Sequence, residues 1–273
     1  MSLLTWIIIF SLIGGVLSVL AASVLLLVKD EYHPHILPHL VSYSIGALLG
    51  AAFLALLPHA ITVNANVDVH NVGLTILIGL LSFFLLEKMV LWRHCHSRHC
   101  AVHTPGDAHA SNDFHAVAHS HDNEKDVSGS LIIIGDSIHN LVDGVLITAA
   151  FLTDLHLGIV TSLAVAAHEI PQEVGDFAIL LNSGFKRKKA LLFNIASSLA
   201  TVVGAVIAYY SLQSMQQALP YILAIAASSF IYIAVADLIP GLHKKTELHE
   251  TFKQITLIAL GVVTIYWAHS TLH

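Results

Sequence analysis

Residues 139–144 read HNLVDG and residues 168–176 read HEIPQEVGD, and each motif sits in the middle of an apolar stretch long enough to cross a bilayer. Imidazoles and carboxylates are common ligands of divalent transition metals. Placing His139, Asp143, His168, Glu169 and Glu173 in hydrocarbon is costly, roughly 2.5–3.5 kcal/mol for each ionised carboxylate at mid-bilayer on the insertion scale. At about 100° per residue, Asp136, His139, Asn140 and Asp143 share about one third of a helix circumference, and His168, Glu169, Gln172, Glu173 and Asp176 share a similar arc. His139 and Asp143, His168 and Gln172, and Glu169 and Glu173 are each four residues apart, so the side chains of a pair can converge on one ion. The expected chemistry is cation coordination inside a membrane.

Elements that hold two such stripes must bring them together at one depth. Apolar runs can be drawn over Leu3 to Val28, Leu40 to Thr62, Val72 to Trp92, Ser130 to Leu152, Leu157 to Leu181, Ala190 to Leu212, Leu219 to Ile239 and Phe252 to Ala268, which makes eight spans. His139 lies about ten residues into span four and His168 about eleven into span five, so at 1.5 Å per residue both fall near the midplane. Only Thr153 to His156 join these spans, which makes them antiparallel neighbours with facing stripes.

Lysine and arginine give the orientation. All twelve lie in or beside the first, third, fifth and seventh connections: Lys29; Lys88, Arg93, Arg98 and Lys125; Lys186, Arg187, Lys188 and Lys189; Lys244, Lys245 and Lys253. The positive-inside bias places these connections in the cytoplasm and both termini outside. The expected fold class is therefore an all-α polytopic membrane protein of eight transmembrane helices, with both termini extracytoplasmic.

Composition agrees. Of 273 residues 56% are hydrophobic and 11% charged, with a mean hydropathy of +0.76, which leaves no competitive soluble reading. The net charge of −6 is carried largely by intramembrane and loop acids, and nucleic acid is not an expected partner. The first span lacks a basic leader region and a small-residue cleavage site, so it reads as a retained helix. No N-x-Ser/Thr sequon is present. The chain is expected to be integral and multi-pass, in the cell (inner) membrane.

The segment 93–127 holds eight histidines and five acids with no apolar period, and reads as a His-rich cytoplasmic loop of one transmembrane domain covering 1–273. It includes the only two cysteines, Cys95 and Cys100, where a cytoplasmic setting favours metal ligation over a disulfide. Either a solvated linker or weak metal capture near the inner mouth accounts for this composition.

Within the second motif Pro171 removes one helical hydrogen bond and frees the carbonyl of Ala167, a further oxygen ligand if it faces the ion. Mixed imidazole, carboxylate and amide donors suit Zn²⁺, Fe²⁺, Mn²⁺, Co²⁺ or Cd²⁺ better than Na⁺ or K⁺, and the lack of intramembrane cysteine argues against Cu(I). A structural salt-bridge network lacks central Lys or Arg to pair the acids. Two rival functions share these ligands. An intramembrane zinc hydrolase would use Glu169 or Glu173 as base to a metal-bound water, but it needs a substrate cleft and usually three strong fixed ligands. An efflux antiporter would use the same donors, since ligands do not record direction.

These residues resemble the ZIP (Zrt/Irt-like) family of metal transporters, and within it the subgroup whose fifth span reads HEIPHEVGDFAIL, here HEIPQEVGDFAIL. The likeness extends to eight spans, outside termini, a His-rich loop between spans three and four, HNLVDG in span four, LLPHA closing span two and DLIP closing span seven. It implies a non-enzymatic transporter moving divalent metal, zinc first among them, toward the cytoplasm, with the metal as cargo and not as catalytic cofactor. It also implies a three-plus-two-plus-three helix arrangement with an inverted repeat, in which spans four and five move with their neighbours against a scaffold. The implied site is binuclear: His139, Asp143, His168 and Gln172 on one side; Asn140, Asp143, Glu169 and Gln172 on the other. Glu173 and Asp176 belong to the family pattern and could orient the ligands from behind.

The chain departs from that pattern at Gln172, an amide where the subgroup has a third histidine, which should weaken or broaden selectivity for zinc. It departs again at Ala52 and Ala55, where relatives of this subgroup commonly carry Asp and His. ALLPHA (55–60) and DLIPGL (237–242) align without gaps in spans of opposite direction, as an inverted repeat requires. His59, Asp68, His70, Asp154 and His156 mark outer ends, and His33, His35, His39, His243, Glu247 and His249 inner ends, where they could attract or release cations. His269 and His273 are expected at the interface, and Asp237 inside span seven. Small residues at Gly14, Gly15, Ser18, Ala22, Gly46 and Gly50 can support close packing within a protomer or in a homodimer.

Overall fold

The computed structural model describes residues 1–25, 33–63, 67–94, 121–243 and 247–272, and among them every regular element is helical. Eight rods follow one another: α1 (Leu3–Leu25), α2 (His33–Gly50, continued by Ala51–Leu56 and Leu57–Thr62), α3 (Val69–His94), α4 (His121–Thr153), α5 (Leu155–Asn182), α6 (Arg187–Leu212), α7 (Leu219–Tyr232, continued by Ile233–Leu238 and Ile239–Leu242) and α8 (Leu248–Leu272). Seven of them are long and apolar enough to cross a membrane. The eighth, α5, has the length at 28 residues, and the polar residues at 168–176 set it apart.

The helices flanking the His-rich segment run further than expected. α3 reaches His94 and α4 begins at His121, so 93–94 and 121–127 are helical. Residues 95–120, with Cys95 and Cys100, lie outside the described residues, as do Lys29, Lys244, Lys245 and His273.

Local chemistry sets the α4–α5 hairpin. Asp154 alone separates the two helices, and its carboxylate accepts from the backbone N–H groups of His156 at 2.8 Å and Leu157 at 3.0 Å, satisfying two of the donors that a helix start leaves open. α5 stops at Gly184, the only positive-φ residue described (φ 92°), where the N–H of Phe185 returns to the carbonyl of Leu180 at 3.1 Å. That reversal favours glycine because a Cβ is disfavoured in the left-handed region.

α2 and α7 carry the same distortion. Ala51–Leu56 and Ile233–Leu238 are π-helical, and each is followed by a turn with proline near its start, Pro58 or Pro240. Proline cannot donate to the carbonyl four residues back, and the ladder widens to i→i−5 over the preceding turn. The aligned segments ALLPHA and DLIPGL thus share one local geometry in helices of opposite direction.

Helix pairing extends this symmetry. α4 packs on α6 as α5 packs on α1, α2 packs on α8 as α7 packs on α3, and α2 touches α5 as α7 touches α4. Exchanging α1–α3 for α6–α8 and α4 for α5 maps these pairs onto each other, the relation of an inverted repeat. Two groups emerge, α1/α4/α5/α6 and α2/α3/α7/α8. Within a group the backbones nearly touch: a Cβ on Gly204 of α6 would lie 2.1 Å from the Leu141 carbonyl of α4, and one on Gly46 of α2 would lie 2.0 Å from the Ile258 carbonyl of α8. Close approach of this kind needs glycine. One buried apolar cluster runs through both groups and includes Ala47, Ala51 and Ala52 of α2, Ala164 of α5, Ala224 and Ala227 of α7 and, against the His168 ring of α5, Phe230 of α7.

Candidate metal site

The polar stripes of α4 and α5 face each other. His139, Asp143, His168 and Glu169 each direct one ligand atom into a common point, all four atoms within 4.8 Å of one another. His139 Nε2 lies 3.3 Å from His168 Nε2, 3.3 Å from Glu169 Oε1 and 3.7 Å from Asp143 Oδ2. His168 Nε2 lies 3.4 Å from Asp143 Oδ2 and 3.6 Å from Glu169 Oε1. A tetrahedral ion with bonds of about 2.0–2.1 Å has ligand–ligand edges of about 3.3–3.4 Å. Five of the six edges of this cage lie at or slightly above that length.

Tautomer and burial favour the same use. His168 Nδ1–H donates to the Ala164 carbonyl at 3.1 Å, which leaves the Nε2 lone pair aimed into the cage. The two imidazole rings stand near perpendicular (87°), 5.6 Å between centroids, and Phe230 of α7 packs 6.2 Å from His168. Asp143, His168 and Glu169 are buried, while His139 keeps a quarter of its side chain exposed. Among the described residues no carboxylate oxygen of Asp143 or Glu169 has a hydrogen-bond donor, and the ion pairs they form are with the two imidazoles. Buried carboxylates in that condition call for a cation.

The remaining motif residues fall around this cage. Asn140 is buried behind it: its amide N–H₂ donates to Asp136 Oδ1 at 3.0 Å, and its oxygen accepts from the Thr201 hydroxyl of α6 at 2.7 Å. Glu169, which the family likeness groups with Asn140, has its Oε1 beside both histidine Nε2 atoms. Gln172 is half-buried, Asp136 and Glu173 are buried, and Asp176 is half-buried. Among the described residues both carboxylate oxygens of Glu173 lack a hydrogen-bond donor, and Asn194 of α6 donates to its backbone carbonyl at 3.4 Å.

Pro171 leaves α5 continuous. The freed Ala167 carbonyl, expected as an extra oxygen ligand, is instead taken by the hydroxyl of Ser44 in α2. A carbonyl points along the helix axis toward the turn ahead, and here the neighbouring helix supplies the missing donor. Ala52 and Ala55 are fully buried in the π segment of α2, and they carry no donor atom for an ion.

Sequence reading missed Ser44 and the polar face of α6. Asn194, Ser197, Ser198 and Thr201 are all buried, and their spacing of three to four residues was the available signal. At the outer ends His59 and His269 pair edge to face, 5.4 Å between ring centroids. At the other end of α2 the His39 Nδ1 bonds the His35 carbonyl. Asp237 is exposed on the π segment of α7, and Tyr232 of the same helix donates to Glu87 of α3.

Comparison with known proteins supplies the context. The family model described as ZIP Zinc transporter matches residues 2–267. Zinc transporter ZIP13 of Mus musculus is 30% identical over 262 residues, covering 88% of this chain and 72% of that protein. The human protein of the same name is 29% identical over 258 residues, with 84% and 70% covered. The zinc transporter ZIP13 homolog of Drosophila melanogaster is 30% identical over 275 residues, with 86% and 78% covered. A multi-pass helical chain, a buried four-donor cage on two facing helices and a match over nearly the whole length converge: the chain belongs to the ZIP zinc transporter family.

Proposed function

We propose that this chain carries a divalent transition metal, with zinc the best fit, across a lipid bilayer toward the cytoplasm, holding the ion between α4 and α5. The observation that carries the reading is the cage of two imidazole nitrogens and two donor-free buried carboxylates with near-tetrahedral edges. His139, Asp143, His168 and Glu169 hold the ion. A second ion beside it would use Asn140, Asp143, Glu169 and Gln172, and for that Asn140 must exchange its Thr201 partner for metal. Glu173 and Asp176, further along the same helix α5, orient the ligands from behind. Fe²⁺, Mn²⁺, Co²⁺ and Cd²⁺ are weaker candidates as cargo.

The mechanism is alternating access. Zinc sheds its water for four protein donors, the two carboxylates balance its charge, and the group holding the cage shifts against the other group so that one side is exposed at a time. The glycine contacts confined within the groups support such a division. The His-rich segment 93–127, helical at 93–94 and 121–127, joins α3 to α4 on the cytoplasmic side of a single transmembrane domain in the cell membrane.

The test is uptake of radioactive zinc into vesicles of known orientation, comparing the chain with His139→Ala and His168→Ala. Uptake should fall to background in both variants, and unchanged flux in both would sink the assignment. Loading the metal on the opposite side settles direction, and competition with Fe²⁺, Mn²⁺, Co²⁺ and Cd²⁺ settles selectivity.

A further inference from the structure

Ser44 is fully buried on α2, and its one hydroxyl proton faces two acceptors. One is the carbonyl of Leu40 in its own helix, at 2.9 Å; the other is the carbonyl of Ala167 in α5. Serine commonly bonds back to the carbonyl four residues earlier, so the first contact is ordinary. The second exists because Pro171 withholds the N–H that would have served Ala167. Ala167 immediately precedes His168, whose Nε2 enters the cage.

The place of this bond in the fold gives it a role. Of the hydrogen bonds between helices described above, Thr201 to Asn140 and Asn194 to Glu173 stay inside the α1/α4/α5/α6 group, and Tyr232 to Glu87 stays inside the α2/α3/α7/α8 group. Ser44 to Ala167 crosses between them. The glycine contacts also stay within groups; the contact of Phe230 of α7 with the His168 ring of α5 crosses as well, but it is ring packing with no hydrogen bond to direct it.

Resting on the transport reading above, we propose that Ser44 is a positioning residue whose hydroxyl latches the metal-bearing group to α2 through the Ala167 carbonyl, and that its retreat to the Leu40 carbonyl releases that group. The latch has an asymmetric cost. On release the serine hydroxyl keeps a partner, whereas the Ala167 carbonyl loses its donor, so removing Ser44 removes the preference for the latched arrangement. A ligand's apparent affinity depends on how populated its binding arrangement is, and one such hydrogen bond shifts a population by about three- to tenfold.

A double-variant cycle on the full chain in vesicles tests this, because Pro171→Ala supplies an N–H to Ala167 and makes Ser44 redundant. Ser44→Ala alone should change the apparent KM for zinc by about three- to tenfold, with zinc still bound by the detergent-solubilised protein in equilibrium dialysis. In the Pro171→Ala background the same substitution should change KM less than about twofold. Equal changes in both backgrounds, or no change in the parent, would overturn the latch while leaving zinc transport standing. Absence of zinc uptake by the parent would overturn the transport reading, and the latch with it. Ser44→Cys keeps the volume with a weaker donor; if Ser44→Ala fails to fold, the same cycle run with cysteine decides by the same criterion.

Discussion

Asp143 and Glu169 place two carboxylates beside two imidazoles, with no hydrogen-bond donor to them and no lysine or arginine ion pair among the described residues. Removing one carboxylate lowers both the charge that balances zinc and the number of donors. Asp143→Asn should therefore weaken zinc binding by at least about tenfold, read by competition with a metal indicator on purified protein. Gln172 sits one turn beyond His168 with an amide where the subgroup has an imidazole. Gln172→His should raise the preference for zinc over Mn²⁺ in competitive uptake, since imidazole suits zinc and oxygen donors suit manganese. Thr201→Val leaves the buried Asn140 oxygen without its donor, which should cost about 1–3 kcal/mol of stability, seen as a lower thermal midpoint. His139, Asp143, His168 and Glu169 were legible from type and spacing because ionisable residues are rare in apolar spans. Ser44 and Thr201 were not, because a hydroxyl in such a span usually bonds its own helix, and only a neighbouring helix shows when it bonds outward.

α4 and α5 can act as one unit because Asp154 caps α5 directly after α4 ends. Asp154→Ala should cost about 0.5–2 kcal/mol, measurable as lowered thermal stability with zinc binding retained. α4 is held against α6 by reciprocal glycines: a Cβ on Gly144 would lie 1.9 Å from the Thr201 carbonyl, and one on Gly204 would lie 2.1 Å from the Leu141 carbonyl. Pro171 illustrates what periodicity leaves open. The sequence shows a lost hydrogen bond but not its replacement, and the structure keeps α5 straight enough to run from Leu155 to Asn182. The π segments of α2 and α7 were legible only as a faint repeat of six residues, since the widened ladder depends on backbone that leucines and alanines do not announce.

Across the whole molecule the two groups should behave as bodies. In a background of Cys95→Ser and Cys100→Ser, a cysteine pair replacing Thr148 and Ala205 joins α4 to α6, where the native hydroxyl already reaches the Ala205 carbonyl at 3.1 Å. Oxidising that pair should leave zinc uptake within about twofold. A pair replacing Ser44 and Ala167 joins the two groups, and oxidising it should stop uptake, with recovery on reduction. Vesicle flux before and after oxidant checks both, and equal inhibition of the two pairs would argue against separate bodies.

Composition, the paired polar stripes and the segregation of lysine and arginine determined that this is a multi-pass helical membrane protein and pointed to spans four and five for a cation, because burying charge in hydrocarbon is too costly to be incidental. The family likeness is also carried by contiguous motifs that need no fold to be read. Only the tertiary structure decided which side chains meet, bringing Glu169 beside the two histidines and turning Asn140 toward Thr201. It also decided that Ala167 answers to Ser44. Helical spacing fixes the face on which a side chain stands; the rotation and separation of neighbouring helices, set here by glycine contacts far along the chain, fix what that face meets.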